Sequence, residues 1–218
     1  MHFVHDTAIV EDGVEISPGT SIWDNVHIRA PARIGSECIV GEKTYIAGGV
    51  AIGNRVKVNA HVYICSAVTI EDGAMISAGT IFTNDRFPRA TAPDLSALRP
   101  CEPVEHTRPT LVREGATIGA ASVIGCDLVV GRWSMVGMGS VVTSSVPDFH
   151  LVVGQPARSI ACVCRCGEPF LRLAGDRPSE PSHLACPACS RRYSVRGDAV
   201  TEIDPGPGRT SAGGEATG

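Results

Sequence analysis

Residues 10–46 read VEDGVEISPGTSIWDNVHIRAPARIGSECIVGEKTYI, with an aliphatic residue at every sixth position. Val10, Ile16, Ile22, Ile28, Ile34, Val40 and Ile46 open a series that runs without a slip through Ile52, Val58, Ile64, Ile70 and Ile76 to Phe82. A second series runs two residues ahead, from Ala8, Val14, Thr20 and Val26 through Cys38, Thr44 and Val50 to Thr80. The beat resumes at Val112, Ile118, Ile124, Val130, Val136 and Val142. A period of six fits neither a helix face nor a simple alternating strand. It fits a prism wound from short flat walls and turns, with two positions of every six pointing inward. Gly35, Gly41, Gly53, Gly119, Gly125, Gly131 and Gly137 follow the aliphatic residue, which suits a turn needing an unusual backbone. A β-sandwich of short strands would give ragged spacings instead.

The repeat resembles the hexapeptide-repeat, left-handed parallel β-helix family. Handedness rests on that resemblance, because the usual parallel crossover is right-handed. Three hexads make one coil, so the expected fold is all-β, with four coils over 10–81 and about two more over 112–147. Residues 1–9 lead in, and Phe3 and Val4 are expected to start a cover for the open end. The expected organisation is a β-helix over 1–160, a cysteine-rich module over 161–203 and a disordered tail over 204–218, rich in Gly, Pro, Ser and Thr.

Across 218 residues, 19 basic and 23 acidic side chains give a formal charge of -4. That argues against nucleic acid, which calls for a basic face. No run approaches the ~18 apolar residues of a membrane span. The first residues show neither a basic nor an apolar signal region, so a cytoplasmic location is expected. Five of the nine cysteines crowd between 162 and 189. Of the others, Cys38, Cys65 and Cys126 read as packing residues, and Cys101 as a loop residue.

The repeat stops at Phe82 and an extruded loop of about 83–110 follows. Thr83-Asn84-Asp85-Arg86-Phe87-Pro88-Arg89 bunches polar groups where the chain leaves the wall, and loops this long in repeat folds are usually functional or disordered. Trp23 and His27 are large for a generic corner. Each reads either as a substrate-facing group or as surface, the Trp packing on a neighbouring subunit and the His solvated. A zinc site within the prism is not expected, because stacked positions differ by multiples of 18 residues and His27 and His61 do not.

Phe82-Thr83-Asn84-Asp85, followed by an aromatic, Pro and Arg, resembles nucleotide-sugar N-acetyltransferases that act on a 3-amino sugar. Ile22-Trp23-Asp24, Val56-Lys57-Val58-Asn59, Pro109-Thr110-Leu111-Val112 and Gly154-Gln155-Pro156-Ala157-Arg158 carry the same likeness, over about residues 8–165. The resemblance implies acetyl-CoA as donor and the amino group of a UDP- or dTDP-linked sugar as acceptor. It implies Asn84 and Asp85 as catalytic, and Trp23, His27, Arg86 and Arg89 as substrate-binding. Ala121, Gly139, Ser140 and Arg158 would hold the coenzyme. A homotrimer with sites between subunits is expected, since one prism offers a flat wall but no pocket. Two other readings remain: an O-acyltransferase of the same fold, which would need His27 or His61 as base, and a non-catalytic scaffold.

Cys164-Arg165-Cys166 and Cys186-Pro187-Ala188-Cys189 lie about twenty residues apart and resemble a zinc ribbon. Four thiolates enclose Zn²⁺ tetrahedrally and leave no open position. A structural zinc on Cys164, Cys166, Cys186 and Cys189 is therefore expected, with Arg191 to Val195 as a short strand.

Overall fold

A computed structural model describes residues 1–99, 107–173 and 180–204, and all regular structure among them is strand. The sequence period becomes a three-walled parallel β-helix. The first wall stacks Phe3–Val4, Ser21–Ile22, Ile39–Val40, Lys57–Val58, Met75–Ile76, Thr117–Ile118, Met135–Val136 and His150–Gly154. The second wall runs from Ile9–Val10 to Val141–Val142, and the third from Glu15–Ile16 to Leu128–Val130. Register is strict: Phe3 pairs with Ser21, Ser21 with Ile39, and His27 with Tyr45, each 18 residues on. Phe3 and Val4 are thus the first wall strand, so the stack starts one strand earlier than the repeat suggests and makes seven coils.

Each two-residue strand sends one side chain out and one in. The inward aliphatics from Ile22 onward are essentially inaccessible to solvent, whereas Val10 and Ile16 in the first coil are only half-buried. Each fully buried Ile stabilises the prism by ~1.5–3 kcal/mol. The second inward series accepts Thr, Ser and Cys because a donor there is satisfied. Thr20 Oγ1 donates to the Gly35 carbonyl (2.7 Å), Thr44 Oγ1 to that of Asn59 (3.0 Å) and Ser122 Oγ to that of Gly137 (3.2 Å), 15 residues on, while Thr80 and Ser134 donate three residues back. Left unpaired, each hydroxyl would cost ~1–3 kcal/mol.

The glycines after the aliphatic residues have a different cause from the one the sequence suggests. Gly41 and Gly119 are not in the left-handed region. A Cβ on Gly41 would lie 2.7 Å from Ala60 N in the next coil, and one on Gly119 2.6 Å from Met138 N. Close stacking of corners excludes a side chain there. The left-handed backbone falls two residues later in most hexads, as at Gly19, Asn25, Glu37, Lys43 and Gly49.

The chain leaves the second wall after Phe82 and rejoins the third at Thr110–Val112, in register with Val68–Ile70. The excursion is therefore 83–109. Cys101 lies outside the described residues.

At the far end, Ala157–Val163 folds back antiparallel on His150–Gly154 and Pro169–Arg172 extends the same sheet. The position-160 boundary falls inside that strand. Ser182–Ala185, Arg192–Arg196 and Ala199–Asp204 form a separate antiparallel sheet. A second core joins the two parts, with Phe149 and Cys162 against Tyr193, Val195 and Val200. The tail from 205 on lies outside the described residues.

Candidate active site on two edges of the prism

Three edges separate the walls, and two carry the residues that sequence reasoning selects. Asn84 stands on the edge between the second and third walls, where the loop departs. Its Nδ2 donates to Ser66 Oγ at 2.8 Å, one coil back. The same edge continues through Gly48 and Gly49 to Ala30, Pro31 and Arg29, forming a groove that Tyr63, Tyr45 and Cys65 also line. Tyr45 and Tyr63 stack at 5.2 Å with an interplanar angle of 8°, and His27 meets Tyr45 edge-on at 5.5 Å. Burial pushes the Cys65 thiol up to about 12, so it is a protonated wall and no nucleophile.

Arg29 closes the far end of this groove. Its Nε donates to Glu11 Oε1 (2.7 Å), Glu11 Oε2 accepts from Ala30 N (3.0 Å), and His27 Nε2 lies 3.3 Å from Glu11 Oε1. These bonds, the Ala30 amide first, hold the Glu11 carboxyl below the ordinary glutamate value. The Tyr45 hydroxyl and Glu11 together favour the charged form of Arg29.

Asp85 accepts from Phe87 N at 2.8 Å and shapes the turn. Arg86 is exposed, and Arg89, also exposed, donates to the Pro88 carbonyl at 3.0 Å. His27 lies three coils from Asn84, ~14 Å at a ~4.8 Å coil spacing, and the two do not meet. Trp23 is on the other edge altogether, packed edge-on against Phe3 at 5.7 Å.

That edge, between the first and second walls, has small corners. Trp23, Gly41, Asn59, Ala60 and Ala78 line one groove, and Ala121 and Gly139 follow on later coils, both left-handed (φ 57° and 68°). Their amides are committed: Ala121 N donates to Ala78 O and Gly139 N to Ala120 O. Ser140 points into the prism, 1% exposed, with Oγ accepting from Gly154 N at 3.3 Å. What this edge offers a ligand is open space and carbonyls. Gln155 Nε2 already donates to the Gly139 carbonyl at 2.8 Å, and Arg158, exposed, follows in the next strand.

The cysteine module brings the four selected thiols together, all Sγ atoms within 4.8 Å of one another. Cys164 Sγ is 3.4 Å from Cys189 Sγ, and Cys166 Sγ 3.6 Å from Cys186 Sγ. Burial opposes ionisation of Cys189, but the Arg191 amide and the three neighbouring thiols bring it down to about 7. Tyr193 Oη lies 3.1 Å from Cys164 Sγ, and Arg165 lies over the Trp133 ring at 4.1 Å.

Sequence reasoning missed Ser66, Arg29, Glu11, Tyr45 and Tyr63. The signal was present: Glu11 and Arg29, then His27, Tyr45 and Tyr63, and finally Ser66 and Asn84, are spaced by 18 and therefore stack.

Known proteins match this chain along the prism. Residues 13–48 match "Bacterial transferase hexapeptide (six repeats)", and residues 31–66 match "Hexapeptide repeat of succinyl-transferase". The chain is similar to dTDP-3-amino-3,6-dideoxy-alpha-D-galactopyranose 3-N-acetyltransferase of Aneurinibacillus thermoaerophilus, with 42% identity over 94 residues, 43% of this chain and 45% of that protein. It is 27% identical over 168 residues to the bifunctional protein GlmU of Nitratidesulfovibrio vulgaris, 70% of this chain and 33% of that protein. The structure of AntD, an N-acyltransferase from Bacillus cereus in complex with dTDP and 3-hydroxybutyryl-CoA, is 24% identical, with a TM-score of 0.41 over 76% of this chain and 81% of that one. The chain spans less than half the length of the curated relatives just named. Repeat and coil register agree on a parallel β-helix, and its residues 13–66 match hexapeptide-repeat models.

Proposed function

We propose that the protein is an acetyl-CoA-dependent N-acetyltransferase acting on the amino group of a nucleotide-linked 3-amino sugar, with dTDP or UDP as carrier. The observation that carries this is Asn84, fixed by Ser66 at the head of a groove that ends on Arg29. The relative at 42% identity is named for the same reaction on a dTDP-linked sugar.

The chemistry asks little of a protein base. A neutral amine attacks the thioester carbonyl, the tetrahedral adduct collapses, the carbon–sulfur bond breaks, and the departing thiolate takes the amine's proton. The protein must aim the amine at the carbonyl, which is worth orders of magnitude in rate. With Nδ2 held by Ser66, Asn84 presents Oδ1 to an amine N–H. Arg29, backed by Glu11 and Tyr45, suits the diphosphate, because its guanidinium keeps free N–H groups once Nε is used. Asp85, Arg86 and Arg89, all exposed, follow Asn84 on the loop.

Within one chain, Asn84 and the coenzyme-side residues Ala121, Gly139 and Arg158 occupy different edges of the second wall. A three-fold assembly sets one edge of each prism against the other edge of its neighbour. The homotrimer therefore completes three sites, each with acceptor residues from one chain and coenzyme residues from the next. The four-thiol cluster suits a structural zinc, since Zn–S bonds of ~2.3 Å place tetrahedral sulfurs ~3.8 Å apart. Zinc there supplies folding energy to the module. Reduced thiols in such a site fit the cytoplasm.

One observation favours a second reading. The His27–Glu11 pair has the form of an oriented base, which O-acyl transfer to a hydroxyl acceptor would use. Incubation with acetyl-CoA and a panel of dTDP- and UDP-linked amino sugars and hydroxyl acceptors, with products identified by mass spectrometry, tests both. An N-acetylated 3-amino sugar supports the proposal. Acetylation of hydroxyl acceptors alone overturns it.

A further inference from the structure

His150 is wholly buried at the junction of prism and cysteine module, and the acetyl-transfer chemistry gives it no task. One ring nitrogen, Nδ1, lies 2.8 Å from Ser159 Oγ, and the other, Nε2, 3.0 Å from the Asp198 carbonyl. Ser159 belongs to Ala157–Val163, and Asp198 to the turn between the last two strands of the module. His150 itself starts the last parallel strand of the first wall. One imidazole therefore ties three pieces together: wall, returning strand and module.

The returning strand has a chemical group at each end. Arg158 and the adjoining Gln155 sit at the coenzyme-side edge, with Gln155 bonded to the Gly139 carbonyl. At the other end the chain runs through Cys162 and Val163, both buried, into Cys164, the first thiol of the cluster. Val163 N donates to Phe149 O at 2.7 Å, which holds that end on the prism. The strand runs seven residues, paired with His150–Gly154 along its length and with Pro169–Arg172 from Ala161 to Val163. A shift at Cys164 is therefore carried along one hydrogen-bonded strand toward Arg158.

We propose that metal binding by the four-cysteine module positions the coenzyme end of the active site, with His150 as the positioning residue that locks the Ala157–Val163 strand and Arg158 in place. With metal bound, Cys164 is fixed, the module seats Asp198 on His150, and His150 holds Ser159. Without it the module loosens, His150 loses Asp198, and the hairpin carrying Gln155 and Arg158 drifts from Gly139. Coenzyme affinity falls while the Asn84 edge is untouched. The inference rests on the coenzyme and metal assignments of the proposed function.

The test is calorimetric titration of coenzyme A into the full chain, before and after zinc removal with a chelator, and into His150→Ala and Arg158→Ala. Expected are about one zinc per chain and coenzyme affinity ~5–10-fold weaker after removal, the scale of ordinary coupling between sites. His150→Ala should show a similar loss with zinc still bound. Arg158→Ala should bind coenzyme weakly and lose nothing more on chelation, as expected if metal and Arg158 act through one route. The KM for the amino-sugar acceptor should stay unchanged in both variants. Coenzyme affinity unaltered by chelation, or a chain that takes up no zinc, overturns the inference. So does a parallel loss of acceptor binding, which would mean general loosening. Failure of the untreated protein to bind coenzyme A at all would instead overturn the acetyltransferase reading beneath it.

Discussion

The Asn84 side-chain amide donates to the Ser66 hydroxyl one coil back, at 2.8 Å. The bond fixes which way the amide faces, with nitrogen to the prism and oxygen to the groove. Asn84→Ala removes the oxygen as well as the bond and touches no inward position, so the fold should survive. Turnover should fall ~100-fold or more, with thermal stability within ~1 kcal/mol of the parent. Ser66→Ala frees the amide without deleting it, and a smaller loss of ~5–10-fold is expected. Steady-state kinetics on the two variants check the order. Equal turnover in Asn84→Ala and the parent would reduce Asn84 to a loop residue.

Two glycines on different edges of the prism separate crowding from backbone strain. Gly41→Ala puts a methyl 2.7 Å from Ala60 N, and the backbone cannot retreat without opening the stack. Gly49→Ala meets nothing within 4 Å but must hold φ at +78°. Expected losses are ~2–3 kcal/mol for the first and ~1–2 kcal/mol for the second. Denaturant unfolding of the two variants reads the difference.

Glu11 stays ionised because the Ala30 amide, His27 and Arg29 all favour its carboxylate, against a modest burial penalty. Its folded pKa is below its unfolded pKa. The stabilisation it gives is therefore fully present above the ordinary carboxylate range and is lost as pH falls through the folded value. An NMR titration should find the Glu11 carboxyl below 4.5, and Glu11→Gln should flatten the acid limb of stability while weakening diphosphate binding by Arg29. A Glu11 carboxyl titrating at or above 4.5 would contradict the bonding described here.

The proposed sharing of the site between two edges of neighbouring chains predicts complementation. Asn84→Ala damages the acceptor edge and Gly139→Trp blocks the coenzyme edge, so each homotrimer should be inactive. Coexpressed mixtures should regain activity, because some interfaces pair an intact edge from each chain. Sedimentation should give a trimer throughout. A stable, active monomer would end this part of the account.

The prism was legible because the constraint is one-dimensional. Every coil repeats the same inward pair, so Ile22, Ile28 and Ile34 report the walls directly. The glycines misled on cause, since Gly35 and Gly41 look like turn residues and are instead points of coil contact. The candidate site stands out in the sequence only where it departs from the repeat, at Asn84 and Asp85. Glu11, Arg29, Tyr45 and Tyr63 sit in hexads that look ordinary one at a time and become a groove only when stacked at intervals of 18. Ser140 stands beside Gly139 but falls in the inward series, which places its side chain in the core. The cysteines were legible as a cluster of four. Their bond to the prism through His150 and Phe149 was not, because it depends on a strand that doubles back.

The central claim is transfer of acetyl to nitrogen, directed by positioning. The most direct measurement is single-turnover acetylation of two acceptors that differ only in bearing an amino or a hydroxyl group at carbon 3 of a dTDP-linked sugar. Fast N-acetylation of the amino compound, strongly slowed in Asn84→Ala, and negligible reaction of the hydroxyl compound is the predicted result. Equal or faster acetylation of the hydroxyl compound, or an N-acetylation rate indifferent to Asn84, would contradict it.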